Sequence, residues 1–299
     1  MKLSELVKGM QVVRMIGDTS VDVSSIEHDL RRVRPGALFF AIRGFGSNGN
    51  AFVPEAVRKG AVAVLTDDHS VMGSIPVVYV PDARKAMAVA ADLFYGSPQN
   101  ALVMIAVTGT NGKTTTYMVK SIFDTGGFSC GLIGTIRHIV GNDTVQSCNT
   151  TPEATEIHTF LSRMVQKDQV ACVMEVSSHA LVLSRVYGIR YRAVAFTNLT
   201  RDHLDFHGDL KSYLETKSIL FSNLSGDSTA VINTDDPFAA HIMNVSRGGN
   251  ILTFGFEEGS AIHPTALELG ARGSHVEIAT PAGNITVFLS LPGRLRVYP

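Results

Sequence analysis

The sequence predicts an α/β protein: a small N-terminal α/β domain over residues 1–98, then a doubly wound, mostly parallel sheet domain over 99–299 with a small antiparallel subsheet. Three observations support this. The chain has 299 residues, room for about two domains of roughly 150 each. Hydrophobic residues make up 45% and charged residues 18%, enough to bury a core and too apolar for a disordered chain. Short apolar runs alternate with helical periodicity along most of the chain.

In the first domain, residues 38–42 form an apolar strand, and 52–59 read as a helix stopped by Gly60. Strands follow at 61–65 and 76–80, the second entered through Pro76, which an interior ladder position would reject. Asp82 caps a helix whose Ala86, Val89, Ala90 and Leu93 share one face. The cluster Tyr95-Gly96-Ser97-Pro98 breaks the chain there and marks the boundary. Beyond it, 101–107 is apolar throughout, as a strand buried on both faces requires. Helices are expected at 114–124, 153–167 and 209–221, and strands at 170–176, 192–196, 230–233 and 251–254. Such alternation implies parallel strands with right-handed crossovers. The tail changes style, with strands at 266–269, 275–279 and 285–289 joined antiparallel.

Lys plus Arg total 26 against 27 for Asp plus Glu, which argues against coating nucleic acid or an anionic membrane. Cys130, Cys148 and Cys172 suit neither a disulfide framework nor a four-ligand zinc site. The first ten residues lack an apolar signal core, and no run near 18 apolar residues occurs. The expectation is a cytoplasmic protein without membrane insertion.

The strongest local signal is Gly109-Thr110-Asn111-Gly112-Lys113-Thr114-Thr115, set between a strand and a helix. A full P-loop would need glycine at position 107, where valine stands, so this is a shortened relative. The physics survives. Gly109 and Gly112 let backbone N–H groups converge on one anion, and the helix start adds positive potential. Lys113 supplies a point charge between phosphates, and Thr114 a hydroxyl for magnesium. The other reading is a glycine-rich turn holding nothing. The flanks favour ATP or GTP with magnesium, and a P-loop-type sheet.

Ligands of doubly wound sheets sit outside the carboxyl ends of strands. Glu175 closes the apolar strand at 170–176, where it could meet magnesium, although a solvated strand-end acid reads equally well. After the strand at 192–196 come Arg201, Asp202, His203, Asp205 and His207 within seven residues. Alone they make an ordinary charged loop. Beside a phosphate loop they read as metal and phosphate ligands. Lys211 and Lys217 lie on the following helix, and spacing prefers neither.

GTNGKTT at 109–115, NTTPE at 149–153, MEVSSHAL at 174–181 and FTNLTRDHLDFHG at 196–208, in that order, resemble the Mur ligases. Within them the similarity is greatest to the MurE branch, the UDP-N-acetylmuramoyl-tripeptide synthetases. The similarity is densest over about 101–221. Val33-Arg34-Pro35-Gly36-Ala37-Leu38-Phe39 resembles that branch's uridine-binding domain, and LPGR at 291–294 the segment leading into its later helices.

The resemblance implies an ATP-dependent amide ligase of peptidoglycan synthesis. UDP-MurNAc-L-Ala-D-Glu would be activated as an acyl phosphate and joined to a diamino acid, meso-diaminopimelate or L-lysine. On matching positions, residues 109–115 would hold the ATP phosphates, with Lys113, Glu175, His203 and Lys217 as the catalytic set. Thr114, Glu175 and His203 would ligate magnesium. Lys217 falls where the family carries a carbamylated lysine, which would bind a second magnesium ion. Asn149, Thr150, Thr151, Ser177 and Arg185 would grip the muramoyl-dipeptide.

Three departures stand out. Asp29-Leu30-Arg31 replaces the family's Asp-Ser-Arg, and Asn48-Gly49-Asn50 its Asp-Gly-His, weakening the expected nucleotide grip. The chain also ends at 299, where family members continue into a third domain. The expectation is a truncated ligase that does not complete ligation alone and draws the missing third from a separate chain. The competing readings are a folylpolyglutamate-type ligase, another Mur branch, or a nucleotide-binding remnant without activity.

Overall fold

The strand Ala37–Ala41 of the first unit buries both of its faces, which is why its sequence is unbroken apolar. The computed structural model describes residues 1–44, 46–202 and 204–290. Packing divides it into two units, the first being Met1–Ala101 with Pro152–Val165 and Leu183–Ile189. After α1 (Leu3–Leu6) come β1 (Arg14–Ile16), β2 (Ser25–Glu27), β3 (Ala37–Ala41), α2 (Val53–Arg58), β4 (Ala61–Thr66), β5 (Val77–Tyr79) and α3 (Ala83–Phe94). The sheet order is β1-β5-β4-β3-β2, parallel except for β1 against β5. Leu38 and Phe40 face one core with α1 and α3, while Phe39 and Ala41 face another with α2. Pro76 stands just outside β5, and its carbonyl accepts from Val64 N. Asp82 caps α3 by accepting from the amides of Arg84 and Lys85.

The second unit comprises Leu102–Thr151, Gln166–Val182 and Arg190–Pro299. The intervening chain runs β6 (Val103–Thr108), α4 (Lys113–Thr125), β7 (Cys130–Ile133), β8 (Arg137–Val140), β9 (Asp143–Gln146), α5 (Ala154–Gln166), β10 (Ala171–Glu175) and α6 (Ser178–Val182). It continues through β11 (Ala193–Phe196), α7 (Leu204–His207), α8 (Leu210–Ser222), β12 (Thr229–Asn233), α9 (Ala239–Val245) and β13 (Asn250–Phe254). The eight-stranded sheet has the order β13-β12-β11-β6-β10-β7-β8-β9. Its first six strands are parallel, and β8 and β9 finish it antiparallel. The tail forms β14 (His263–Gly270), β15 (Gly273–Ala279) and β16 (Ile285–Leu289), an antiparallel sheet of its own.

The α/β class, the parallel sheet and the antiparallel subsheet therefore stand as expected. The division differs from a single boundary at residue 98. Most of α5 packs with the first unit, because Ala154 joins the core of α3 and the Thr159 hydroxyl donates to the Tyr95 hydroxyl at 2.9 Å. The periodicity of α5 showed an apolar face without saying which core it would meet. The β8–β9 hairpin adds to the expected strands; Gly141-Asn142 makes its two-residue turn, with Gly141 at φ +58°. Among the described residues, no helix is long and apolar enough to cross a membrane.

Candidate active site

Three adjacent strands set the geometry. In the order β11-β6-β10, the phosphate loop follows β6, Glu175 ends β10, and the aspartate- and histidine-rich loop follows β11. Glu175 pairs in register with Val107, and Phe196 with Thr108, so all three leave the sheet at one edge.

The loop is held from the β11 side. Thr110 N donates to Asn198 O at 2.9 Å and Asn111 N to Asn198 Oδ1 at 3.0 Å. Thr197 Oγ1 donates to Asn111 O at 2.7 Å, and Thr200 N to Thr110 Oγ1 at 2.9 Å. Gly109 is forced by this closeness: a Cβ there would stand 1.9 Å from Thr197 Oγ1 and 3.0 Å from Asn198 O. Gly112 is the N-cap of α4, and the first intrahelical bond runs from Thr116 N to Gly112 O at 3.2 Å. The amides opening the helix thus face outward without intrahelical acceptors. Lys113 and Thr114 are exposed beside them. The Thr115 hydroxyl beside them is buried.

Glu175 is 8% exposed. Its Oε2 accepts from Thr135 Oγ1 at 2.6 Å and Thr135 N at 3.2 Å, while Oε1 faces Gly112. Thr135 Oγ1 also shares a hydrogen bond with the Thr150 hydroxyl at 3.0 Å, in which Thr150 donates, tying Glu175 to the Asn149-Thr150-Thr151 segment. Thr151 Oγ1 donates to Glu175 O at 2.9 Å and accepts from Ser177 N at 3.0 Å. Asn149 is exposed, its carbonyl accepting from Ser147.

Lys217, on α8, is 1% exposed. Its Nζ donates to Gly109 O at 3.0 Å and lies 4.8 Å from the Tyr213 ring centroid. Burial pushes its amine down to about 8, against the opposing pull of Glu175 and Asp202. Of the two lysines left level by spacing, the fold buries Lys217 and leaves Lys211 exposed.

Could this edge hold magnesium? Among the described residues no three His, Cys, Asp or Glu side chains gather into a cage. Magnesium commonly takes only one or two carboxylates, with water and phosphate oxygens completing its shell. Glu175 and the Thr114 hydroxyl, both oxygen donors at the phosphate loop, fit that pattern. His203, expected as a further ligand, lies outside the described residues, as does the 291–294 segment.

Arg185 belongs to the first unit, where its Nη2 pairs with Glu153 Oε1 at 2.7 Å. Arg84 approaches the other oxygen of Glu153 at 3.4 Å. A cleft of about 450 Å³ in this unit is lined by His28, Asp29, Arg31, Gly49, Arg84 and Glu153 among others. Asp29, Leu30 and Arg31 of the first departing triplet line it, and so does Gly49 of the second. Arg31 hydrogen-bonds Asp29 and holds its carboxyl down at about 2. Asn48 accepts from the backbone and side chain of Asn50, and Asn50 accepts from Thr66 Oγ1 at 2.7 Å.

Comparison with known proteins gives the family. Residues 107–298 match the Mur ligase middle domain, and residues 22–95 match the Mur ligase family catalytic domain. The chain belongs to the Mur ligase family. It is 39% identical over 300 residues to UDP-N-acetylmuramoyl-L-alanyl-D-glutamate--2,6-diaminopimelate ligase 1 of Clostridium acetobutylicum, covering 100% of this chain and 61% of that one. The ligase of the same name, without the numeral, from Listeria monocytogenes is 38% identical over 305 residues, covering 100% and 62%. A solved structure with that name superposes with a TM-score of 0.84 at 25% identity, covering 99% of this chain and 61% of its own. The chain thus spans about 61% of the length of the relatives it matches.

One residue of this candidate site carried no sequence signal. Thr135, the partner of Glu175, is a threonine after a glycine in an unremarkable loop. Asp236 had one, since it follows a strand end: it accepts from Leu199 N at 2.7 Å, and Asn233 Nδ2 donates to Thr197 O at 2.6 Å. Together they anchor the segment that holds the phosphate loop.

Proposed function

We propose that this chain carries the ATP- and UDP-substrate-binding part of an amide ligase of peptidoglycan synthesis. Its substrates are UDP-MurNAc-L-Ala-D-Glu and a diamino acid, for which 2,6-diaminopimelate, named in its relatives, is the first choice. The observation that carries this reading is the convergence of phosphate loop, Glu175 and Lys217 at one sheet edge. A carboxylate is a poor acyl donor at neutral pH. Its oxygen attacks the γ-phosphorus of ATP, ADP departs, and an acyl phosphate forms. The amine then attacks the acyl carbon, losing a proton as inorganic phosphate leaves.

The chain's own part is positioning and charge neutralisation. The amides opening α4 bind phosphate oxygens, Lys113 places a positive charge between them, and Glu175 and Thr114 would hold magnesium, which would neutralise charge on the phosphates. His203 would join that ligand set. Lys217 is buried and its amine is pushed down to about 8, which raises the neutral fraction able to react with carbon dioxide to a carbamate, a second anionic ligand. Asn149, Thr150, Thr151 and Ser177, with Arg185, would grip the muramoyl-dipeptide, and the first unit's cleft its uridine nucleotide. Dependence on ATP points to the cytoplasm.

Calorimetry with Mg-ADP and with UDP-MurNAc-L-Ala-D-Glu separately tests the reading. Binding of both is expected. Binding of the nucleotide alone would leave a nucleotide-binding module, and binding of neither would overturn the assignment.

A further inference from the structure

One peptide group joins two loops. The Asn198–Leu199 peptide, just past β11, donates its N–H to Asp236 Oδ2 at 2.7 Å, and its carbonyl accepts from Thr110 N of the phosphate loop at 2.9 Å. A peptide is planar, so its N–H and C=O turn together, and whatever fixes the first aims the second. Asp236 lies beyond β12, on the far side of β11 from the phosphate loop in the order β12-β11-β6. Its other oxygen, Oδ1, accepts from Phe238 N at 2.9 Å, which fixes the carboxylate within its own turn. Asp236 and Leu199 are 8% and 4% exposed, so little water competes for the bond between them. The preceding peptide is held as well. Asn233 Nδ2 donates to Thr197 O at 2.6 Å, and Asn233 Oδ1 accepts from Asp235 N at 2.9 Å.

We propose that Asp236 is a positioning residue for the phosphates of the bound nucleotide, acting on the phosphate loop through this one peptide. The inference rests on the nucleotide reading above and assigns a role to a residue two strands away from the loop. Donation to a carboxylate polarises a peptide and strengthens its carbonyl as an acceptor, so Asp236 also tightens the hold on Thr110 N. The Asn198 side chain works alongside, its Oδ1 accepting from Asn111 N at 3.0 Å. Two consecutive loop amides are thereby turned toward Asn198, and phosphate is left to the amides that open α4. Without the carboxylate, Leu199 N loses a buried acceptor, and the peptide that aims at Thr110 is free to rotate. The ligand must then order the loop itself, which lowers affinity.

Asp236→Ala and Asp236→Asn test this, read by calorimetry with Mg-ADP, inorganic tripolyphosphate and UDP-MurNAc-L-Ala-D-Glu, and by amide hydrogen exchange without ligand. Asp236→Asn keeps an acceptor of the same shape and removes the charge, should the alanine variant fold poorly. Asp236→Ala is expected to weaken Mg-ADP and tripolyphosphate about tenfold, the worth of a hydrogen bond to a charged group, and Asp236→Asn by less. Affinity for the UDP-linked substrate should not change. Exchange at the Leu199 and Thr110 amides should quicken in the same order, while the amides within β11 keep their protection. Unaltered Mg-ADP affinity in both variants would overturn the inference and spare the nucleotide reading. So would a uniform loss, with all three ligands weakened alike and exchange quickened along β11, because Asp236 would then be holding the sheet and not the loop. If the unaltered chain binds neither Mg-ADP nor tripolyphosphate, both readings fall together.

Discussion

Lys217 Nζ lies 3.0 Å from the carbonyl oxygen of Gly109, across 108 residues of sequence. A buried cation against the phosphate loop is costly to charge, and its amine is accordingly pushed down to about 8 from an ordinary 10.5. Between those values the unfolded chain holds a proton that the folded chain has released. Stability must therefore rise with pH through that window, by on the order of 3 kcal/mol for this group. Thermal melts in bicarbonate-free buffer should show the rise from pH 8 to 10.5, and Lys217→Met should lack it. Identical pH profiles for the two proteins would rule the account out.

Glu175 depends on Thr135 for its orientation, through donors at 2.6 and 3.2 Å. Thr135→Val leaves the amide bond and removes the hydroxyl, which should cost about 1–2 kcal/mol in urea unfolding. Magnesium-dependent ADP affinity should fall with it. A variant with wild-type magnesium dependence would show that Glu175 needs no such support.

The Gly109→Ala variant forces a methyl group to within 1.9 Å of the Thr197 hydroxyl, which itself donates to Asn111 O. The collision should cost about 1–3 kcal/mol and abolish ADP binding. Gly208→Ala is the contrast: nothing lies within 4 Å, but φ is +79°, so the strain is local and ADP binding should persist. Equal loss of binding in both variants would contradict this.

Cys130 and Cys172 are buried, and burial raises both thiols, Cys130 to about 11. Cys148 is exposed. At neutral pH a thiol reagent should label one cysteine in the folded protein and all three after denaturation. Rapid labelling of a second thiol under native conditions would contradict the packing of β7 against β10.

The phosphate loop was legible because its message is local: two glycines, a lysine and threonines at a strand-to-helix turn can be read without knowing any neighbour. The same is true of the α3 cap at Asp82 and the buried run of β3. Lys217 was picked out by resemblance alone, since on the helix it looks no different from Lys211. Its burial comes from α8 packing over the loop, a contact between distant segments.

The sequence by itself determined the alternation of elements, the anion-binding turn and the acids at strand ends, because periodicity and turn chemistry are properties of a few neighbouring residues. Strand order was decided only by the tertiary structure. Setting β6 between β10 and β11 is what brings Glu175, the phosphate loop and the segment after Phe196 to one edge. The physical reason is that parallel pairing and the choice of core depend on contacts tens to hundreds of residues apart, such as α5 joining the first unit and Lys217 reaching Gly109.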